Sequence, residues 1–199
     1  MTPFPDTGKL IFQSHPHSAQ VAAGCLGAGG ICILPTDTVY GLSGRVPDGR
    51  ERLQAIKGRG GEKPFIQLIA TPSDIYKYTD TRLPAAILSL WPGALTVVVP
   101  TRGGSTVAFR CPGDGWLRQV IALVGSPIYS TSANRSGSPM PGTLREIKEE
   151  FIGEVDLLVE GEGSVVVGAR PSTLVELLPG GGCRILRQGE VVVPPGLLA

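Results

Sequence analysis

The chain has 199 residues, 42% of them hydrophobic, which is enough for one well-packed domain at the usual ~100 to 200 residues per domain. Its 18 Lys and Arg nearly balance 17 Asp and Glu, so no global field draws it onto nucleic acid or an anionic membrane, and any anion site must be local. Gly (28) and Pro (18) make up about twice the usual share but follow no period and separate apolar runs, the pattern of a loop-rich globular chain.

Ser18 is placed to cap a helix over Ala19 to Leu26, ended by Gly29-Gly30, and the apolar run Ile31 to Leu34 suits a buried strand opening into T-D-T-V-Y-G-L. A helix over Arg50 to Ile56 and a strand over Pro64 to Ala70 follow, with K-G-R-G-G-E-K-P between them. The pattern then predicts a helix from about Pro84 to Trp91, strands at Leu95 to Val99 and Thr106 to Arg110 around a Gly-Gly turn, and a helix over Trp116 to Val124. Ile128 to Ser132 reads as a strand and Thr143 to Phe151 as a helix, with further strands at Leu157 to Val159, Thr173 to Leu177 and Ile185 to Leu186. Helices and strands alternate but hairpins also occur, so the expected fold class is α/β, a single domain over 1–199 with a twisted mixed parallel and antiparallel sheet and flanking helices.

Cys25, Cys32, Cys111 and Cys183 show neither C-x-x-C nor zinc-finger spacing, which disfavours a metal or disulfide framework. Met1 to Gly8 lacks the basic and apolar segments of a secretion signal, and no apolar run approaches the ~20 residues needed to cross a bilayer. A cytoplasmic protein is expected.

Four segments put polar residues where a core does not need them. P-T-D-T-V-Y-G-L (Pro35 to Leu42) follows a buried strand; an Asx or Ser/Thr turn is the competing explanation. I-K-G-R-G-G-E-K-P-F (Ile56 to Phe65) sets Lys57, Arg59 and Lys63 on a glycine-rich backbone, where main-chain N–H groups and cations can meet a polyphosphate, without the spacing of a Walker A loop. This segment ends the basic stretch Arg45 to Lys63, which on charge alone reads as a solvated helix face. In S-T-S-A-N-R-S-G (Ser130 to Gly137), Ser132 and Asn134 stand at i and i+2 of an extended segment, so both can point the same way. The fourth pairs R-P-S-T-L-V-E-L (Arg170 to Leu177) with R-I-L-R-Q-G (Arg184 to Gly189).

These segments, with W-P-G-A-L-T and V-A-F-R-C-P, in this order from about Gly24 to Val191, resemble the threonylcarbamoyl-AMP synthase family with the YrdC-like fold, in its short single-domain form (motif-bearing core about 15–192). The resemblance implies a nucleotidyltransferase that makes threonylcarbamoyl-AMP and pyrophosphate from L-threonine, bicarbonate or CO2, and ATP, for threonylcarbamoyladenosine modification of tRNA. It implies Thr38, Arg110 and Ser172 for threonine, and Lys57, Arg59, Lys63, Thr106, Ser132, Asn134 and Arg187 for ATP, with Lys57 and Arg59 catalytic. It further implies Mg2+ carried by the phosphates rather than by protein side chains, a downstream threonylcarbamoyl transferase complex as partner, room for a weak tRNA contact, and no membrane. Leu68 departs from members with a histidine there. The alternative is a paralogue of the same fold that binds RNA or maintains tRNA without making the adenylate; such paralogues lose K-x-R and S-x-N, both kept here. His15 and His17 precede the first motif and read as surface residues.

Overall fold

A computed structural model describes residues 8–58, 64–161 and 170–198. The sheet is built from β1 (Leu10–Phe12), β2 (Ile31–Leu34), β3 (Gly41–Arg45), β4 (Ile66–Leu68), β5 (Leu95–Pro100), β6 (Thr106–Arg110), β7 (Ile128–Ser132), β8 (Leu157–Glu160), β9 (Thr173–Leu177) and β10 (Cys183–Arg187). Among the described residues these ten form one sheet in the order β1-β8-β2-β3-β7-β4-β6-β5-β9-β10. Parallel pairs (β1 and β2 with β8, β4 with β6, β5 with β9) and antiparallel ones (β3 with β2 and β7, β4 with β7, β5 with β6, β9 with β10) give the expected mixed sheet.

The two-residue period of a strand explains the layers. Ile31 and Ile33 of β2 point to one side, where Leu53 and Ile56 of α2 (Arg50–Lys57) and Ile147 and Phe151 of α5 (Leu144–Phe151) cover them. Cys32 and Leu34 point to the other, against Ala22 and Leu26 of α1 (Ser18–Gly27) and Leu117, Val120 and Ile121 of α4 (Gly115–Val124). In the second half, Val97, Phe109 and Val175 pack against Ile75, against Ile87 of the short α3 (Ala85–Leu88), and against Trp91. The opposite residues of β5, β6 and β9, Val98, Ala108 and Leu174, line a cleft.

The helix ends follow their local chemistry. Asp114 accepts from Leu117 N at 2.7 Å and starts α4, while Thr143 and Glu146 form a reciprocal cap at the start of α5. Gly58 (φ 59°) ends α2 in the left-handed region directly after Lys57. Ser18 does not cap α1 as expected, because its hydroxyl donates to Gln13 O at 2.7 Å and accepts from Trp116 Nε1 at 2.9 Å; His17 stands at the cap instead. The strand expected over Pro64 to Ala70 pairs only over Ile66–Leu68, and β1 and β3 were not foreseen. All four cysteines are free thiols, and Cys32, Cys111 and Cys183 are fully buried. Among the described residues no helix is long and apolar enough to cross a membrane.

Candidate active site

A cleft of about 550 Å³ crosses the sheet, taking Gly41 from β3, Ser130 and Ser132 from β7, Ile66 and Leu68 from β4, Thr106 and Arg110 from β6, and Leu174 and Glu176 from β9. Of the anticipated residues, Thr38, Thr106, Arg110, Ser132, Ser172 and Arg187 all line it. Arg59 and Lys63 lie outside the described residues.

At one end, Arg110 closes β6 and is only 6% exposed. Its Nη2 donates to Asp37 Oδ1 at 2.7 Å, its Nη1 to Thr38 Oγ1 at 3.0 Å and its Nε to Gly93 O at 3.1 Å. Asp37 is fixed in turn by Gly113 N, which donates to Oδ2 at 2.8 Å. Burial pulls the Arg110 pKa down and the Asp37 carboxylate pushes it back up, so the net shift is downward. An arginine still keeps its proton at neutral pH. A guanidinium has five N–H groups, so one on each terminal nitrogen remains beyond these three bonds, a fork suited to a carboxylate.

Arg187 reaches the same region from β10. Its Nη2 donates to Ser172 O at 2.9 Å, and Ser172 Oγ lies 2.8 Å from Thr96 Oγ1. Burial lowers the Arg187 pKa and the neighbouring Arg110 lowers it further, placing two cations at this end. Gly189 permits the arrangement, since a Cβ there would fall 2.2 Å from Pro171 O and 2.4 Å from Thr173 N. Leu68, 3% exposed and paired with Arg110 across β4 and β6, supplies an apolar wall.

At the other end, Ser132 closes β7 and its Oγ donates to Asn134 Oδ1 at 2.5 Å. Lys57 and Asn134 stand behind Ser132 rather than on the cleft wall. The Lys57 ammonium, 4% exposed, donates to Ser132 O at 2.9 Å, to Asn134 Oδ1 at 3.1 Å and to Asn134 O. Asn134 Nδ2 donates to Ser138 O at 2.6 Å, so the side chain is held at both ends. Lys57, expected at ATP, supports the S-x-N turn in this geometry.

Sequence reasoning missed Asp37, whose partner is 73 positions away, and Thr36, Ser130, Thr131, Glu176 and Leu186 of the lining. The alternation in β9 could have found Glu176, which shares the cleft-facing parity of Ser172 and Leu174. Glu176 is paired with Arg184 at 2.6 Å across β9 and β10. The other expected basic residues behave as surface groups: Arg45 faces Asp48 and Arg52 pairs with Asp156 at 2.9 Å. His15 and His17 are exposed. Among the described residues no group of three or more His, Cys, Asp or Glu could hold a metal ion.

Comparison with known proteins gives the family. The profile of the Sua5/YciO/YrdC family, described as telomere recombination, matches residues 25–189. A threonylcarbamoyl-AMP synthase of Pyrococcus abyssi is 33% identical over 79% of this chain and 50% of its own length, so the chain spans about half of that relative. One of Pseudoalteromonas translucida is 32% identical over 84% of this chain and 97% of its own length. The crystal structure of Pyrococcus abyssi Sua5 complexed with L-threonine superposes with a TM-score of 0.75 at 31% identity, over 86% of this chain and 54% of that one. On the matched profile, these identities and a cleft built from the motifs in register, the chain belongs to the Sua5/YciO/YrdC family.

Proposed function

We propose that this chain is an L-threonylcarbamoyladenylate synthase, a nucleotidyltransferase that joins L-threonine, bicarbonate or CO2, and ATP into threonylcarbamoyl-AMP and pyrophosphate. One observation carries the reading: a single cleft holds a clamped, buried arginine with open N–H groups at one end and the Lys57-supported Ser132/Asn134 turn at the other. The first end suits an amino-acid carboxylate, with Thr38 and Ser172 offering hydroxyls to its amine or side chain. The second suits a triphosphate, with Thr106 and Ser132 as neutral hydrogen-bonding groups, while Arg187 stands beside Arg110 at the first end and would offer its charge to the phosphates from there.

In this reading the threonine amine adds to carbon dioxide and loses a proton to solvent, the resulting carbamate oxygen attacks the α-phosphorus, and pyrophosphate leaves with the electrons of the broken P–O bond. Among the described residues nothing in the cleft is arranged as a nucleophile and base pair, so the chain's contribution is to orient the two reactants and to neutralise charge as the leaving group departs. The carboxylates at the cleft, Asp37 and Glu176, are each engaged by an arginine, so Mg2+ fits as the counterion of the ATP phosphates, where it would offset their charge. The product is a mixed anhydride that hydrolyses readily, which suits hand-over in the cytoplasm to a threonylcarbamoyl transferase complex acting on tRNA. Incubating the protein with ATP, Mg2+, bicarbonate and isotopically labelled threonine, and following the adenylate by mass spectrometry, tests the proposal. Labelled threonylcarbamoyl-AMP is the expected product; its absence in a folded protein that binds both substrates would overturn the assignment.

A further inference from the structure

We infer that Arg135, between Asn134 and Ser136, is a positioning residue that sets the nucleotide end of the cleft from behind. The inference rests on the reading of that end as an ATP site.

The Arg135 side chain turns away from the cleft toward α5. Its Nη1 donates to Ile56 O and to Glu154 Oε2 (3.2 Å), and its Nη2 to Glu154 Oε1 and to Glu150 O (3.4 Å). Its Nε lies 3.2 Å from Glu150 Oε1, and the guanidinium carbon lies 4.8 Å from the ring centre of the fully buried Phe151. Ile56 O belongs to the peptide that leads into Lys57, and Asn134 precedes Arg135 directly. A second bond runs between the same segments, Ser136 N donating to Lys57 O at 2.9 Å.

Two segments far apart in sequence, the end of α2 and the turn after β7, are therefore fastened on both sides of the contact that matters. In front, Lys57 Nζ reaches into the turn. Behind, Arg135 holds the α2 carbonyl and anchors both segments to α5. A planar fork can serve a carbonyl, two carboxylates and a ring face together, whereas a lysine ammonium cannot match that geometry. Arg135 is poorly placed to bind phosphate itself: it faces α5, and Glu150 and Glu154 already offset its charge, with Glu154 as the main influence that raises its pKa.

Arg135→Lys, Arg135→Gln and Glu154→Gln, the last an isosteric change at an exposed position in the turn after α5, are titrated with ATP·Mg2+ and, separately, with L-threonine by calorimetry, alongside thermal melts. Arg135→Lys and Arg135→Gln should weaken ATP roughly tenfold, the scale of one lost charged hydrogen bond, while threonine stays within about twofold of the parent. Glu154→Gln should move ATP in the same direction by about threefold, and it decides the matter if the Arg135 variants do not fold. Lower melting temperatures with parental ATP affinity, or equal losses for both ligands, would overturn the inference. A parent that binds threonine but not ATP would instead overturn the reading of the nucleotide end on which it rests.

Discussion

Asp37 Oδ1 lies 2.7 Å from Arg110 Nη2, and this pair joins the loop after β2 to the last residue of β6. The Arg110 side chain is 7% exposed and that of Asp37 21%, so the pair is largely withdrawn from water, where removing one partner leaves a charge that burial has made expensive. Asp37→Asn should lower stability by about 3 kcal/mol and loosen the guanidinium. Arg110→Ala should weaken threonine roughly 10- to 150-fold, the range for a lost charged hydrogen-bond partner, with a much smaller effect on ATP. Ser132→Ala should do the reverse. Calorimetric titration of each variant with each substrate checks the division; an Arg110→Ala protein that binds threonine like the parent while losing ATP would reverse it.

Gly189 is the second place where the site's geometry depends on one position. A Cβ there would overlap Pro171 O at 2.2 Å and Thr173 N at 2.4 Å, backbone atoms that cannot swing aside. Gly189→Ala must push apart the segments that carry Ser172 and Arg187, so it should be destabilising by about 1 to 3 kcal/mol, the usual range for overpacking, and should weaken threonine binding as well. Thermal denaturation and threonine titration of the purified variant measure both effects. Gly153, whose Cβ would meet nothing within 4 Å, is the matched control, and Gly153→Ala should change neither.

Asp156 predicts a pH dependence. Partial burial tends to raise its pKa, but the hydrogen bond from Ile31 N (2.7 Å) and the pairing with Arg52 (2.9 Å) outweigh that and leave it below the ordinary carboxylate value. A depressed folded-state pKa gives stability that is present above the unfolded value, about 3.9, and is lost as the pH falls through the folded one. Asp156→Ala should therefore melt below the parent at neutral pH, and the gap should narrow below about pH 4. The gap should be modest, because the side chain is 41% exposed and solvent screens the ion pair. Melting curves across acid and neutral pH test the sign; a gap that widens in acid would contradict it.

The sequence was most legible where local chemistry decides the structure. Ile31–Leu34 reads as a buried strand because four apolar residues in a row have no polar face, and Thr143 with Glu146 marks a helix start by a reciprocal cap. β3 was illegible because Gly41-Leu-Ser-Gly-Arg45 has almost no strand propensity and is held by its neighbours on both sides, β2 and β7. β1, three residues at the sheet edge with Leu10 and Phe12 exposed, shows no alternation long enough to notice. In the site, motif residues could be named but not oriented. Lys57 carries the charge of a phosphate ligand, yet the sequence cannot show that Ser132 and Asn134 fold around its ammonium, because that depends on how β7 lies against α2. Asp37 stayed hidden for the same reason: its role exists only once β6 brings Arg110 beside it.

The most direct test of the central claim is pyrophosphate release by the purified protein in ATP and Mg2+, with threonine and bicarbonate each supplied or withheld. In the proposed reaction the cleft adenylates a carbamate that forms only from both, so release should require the two together and fall to background when either is missing. Serine lacks the methyl group that an apolar lining residue such as Leu68 would pack against, and should support release less well than threonine. Release that continues undiminished without threonine, or without bicarbonate and dissolved CO2, would contradict the account.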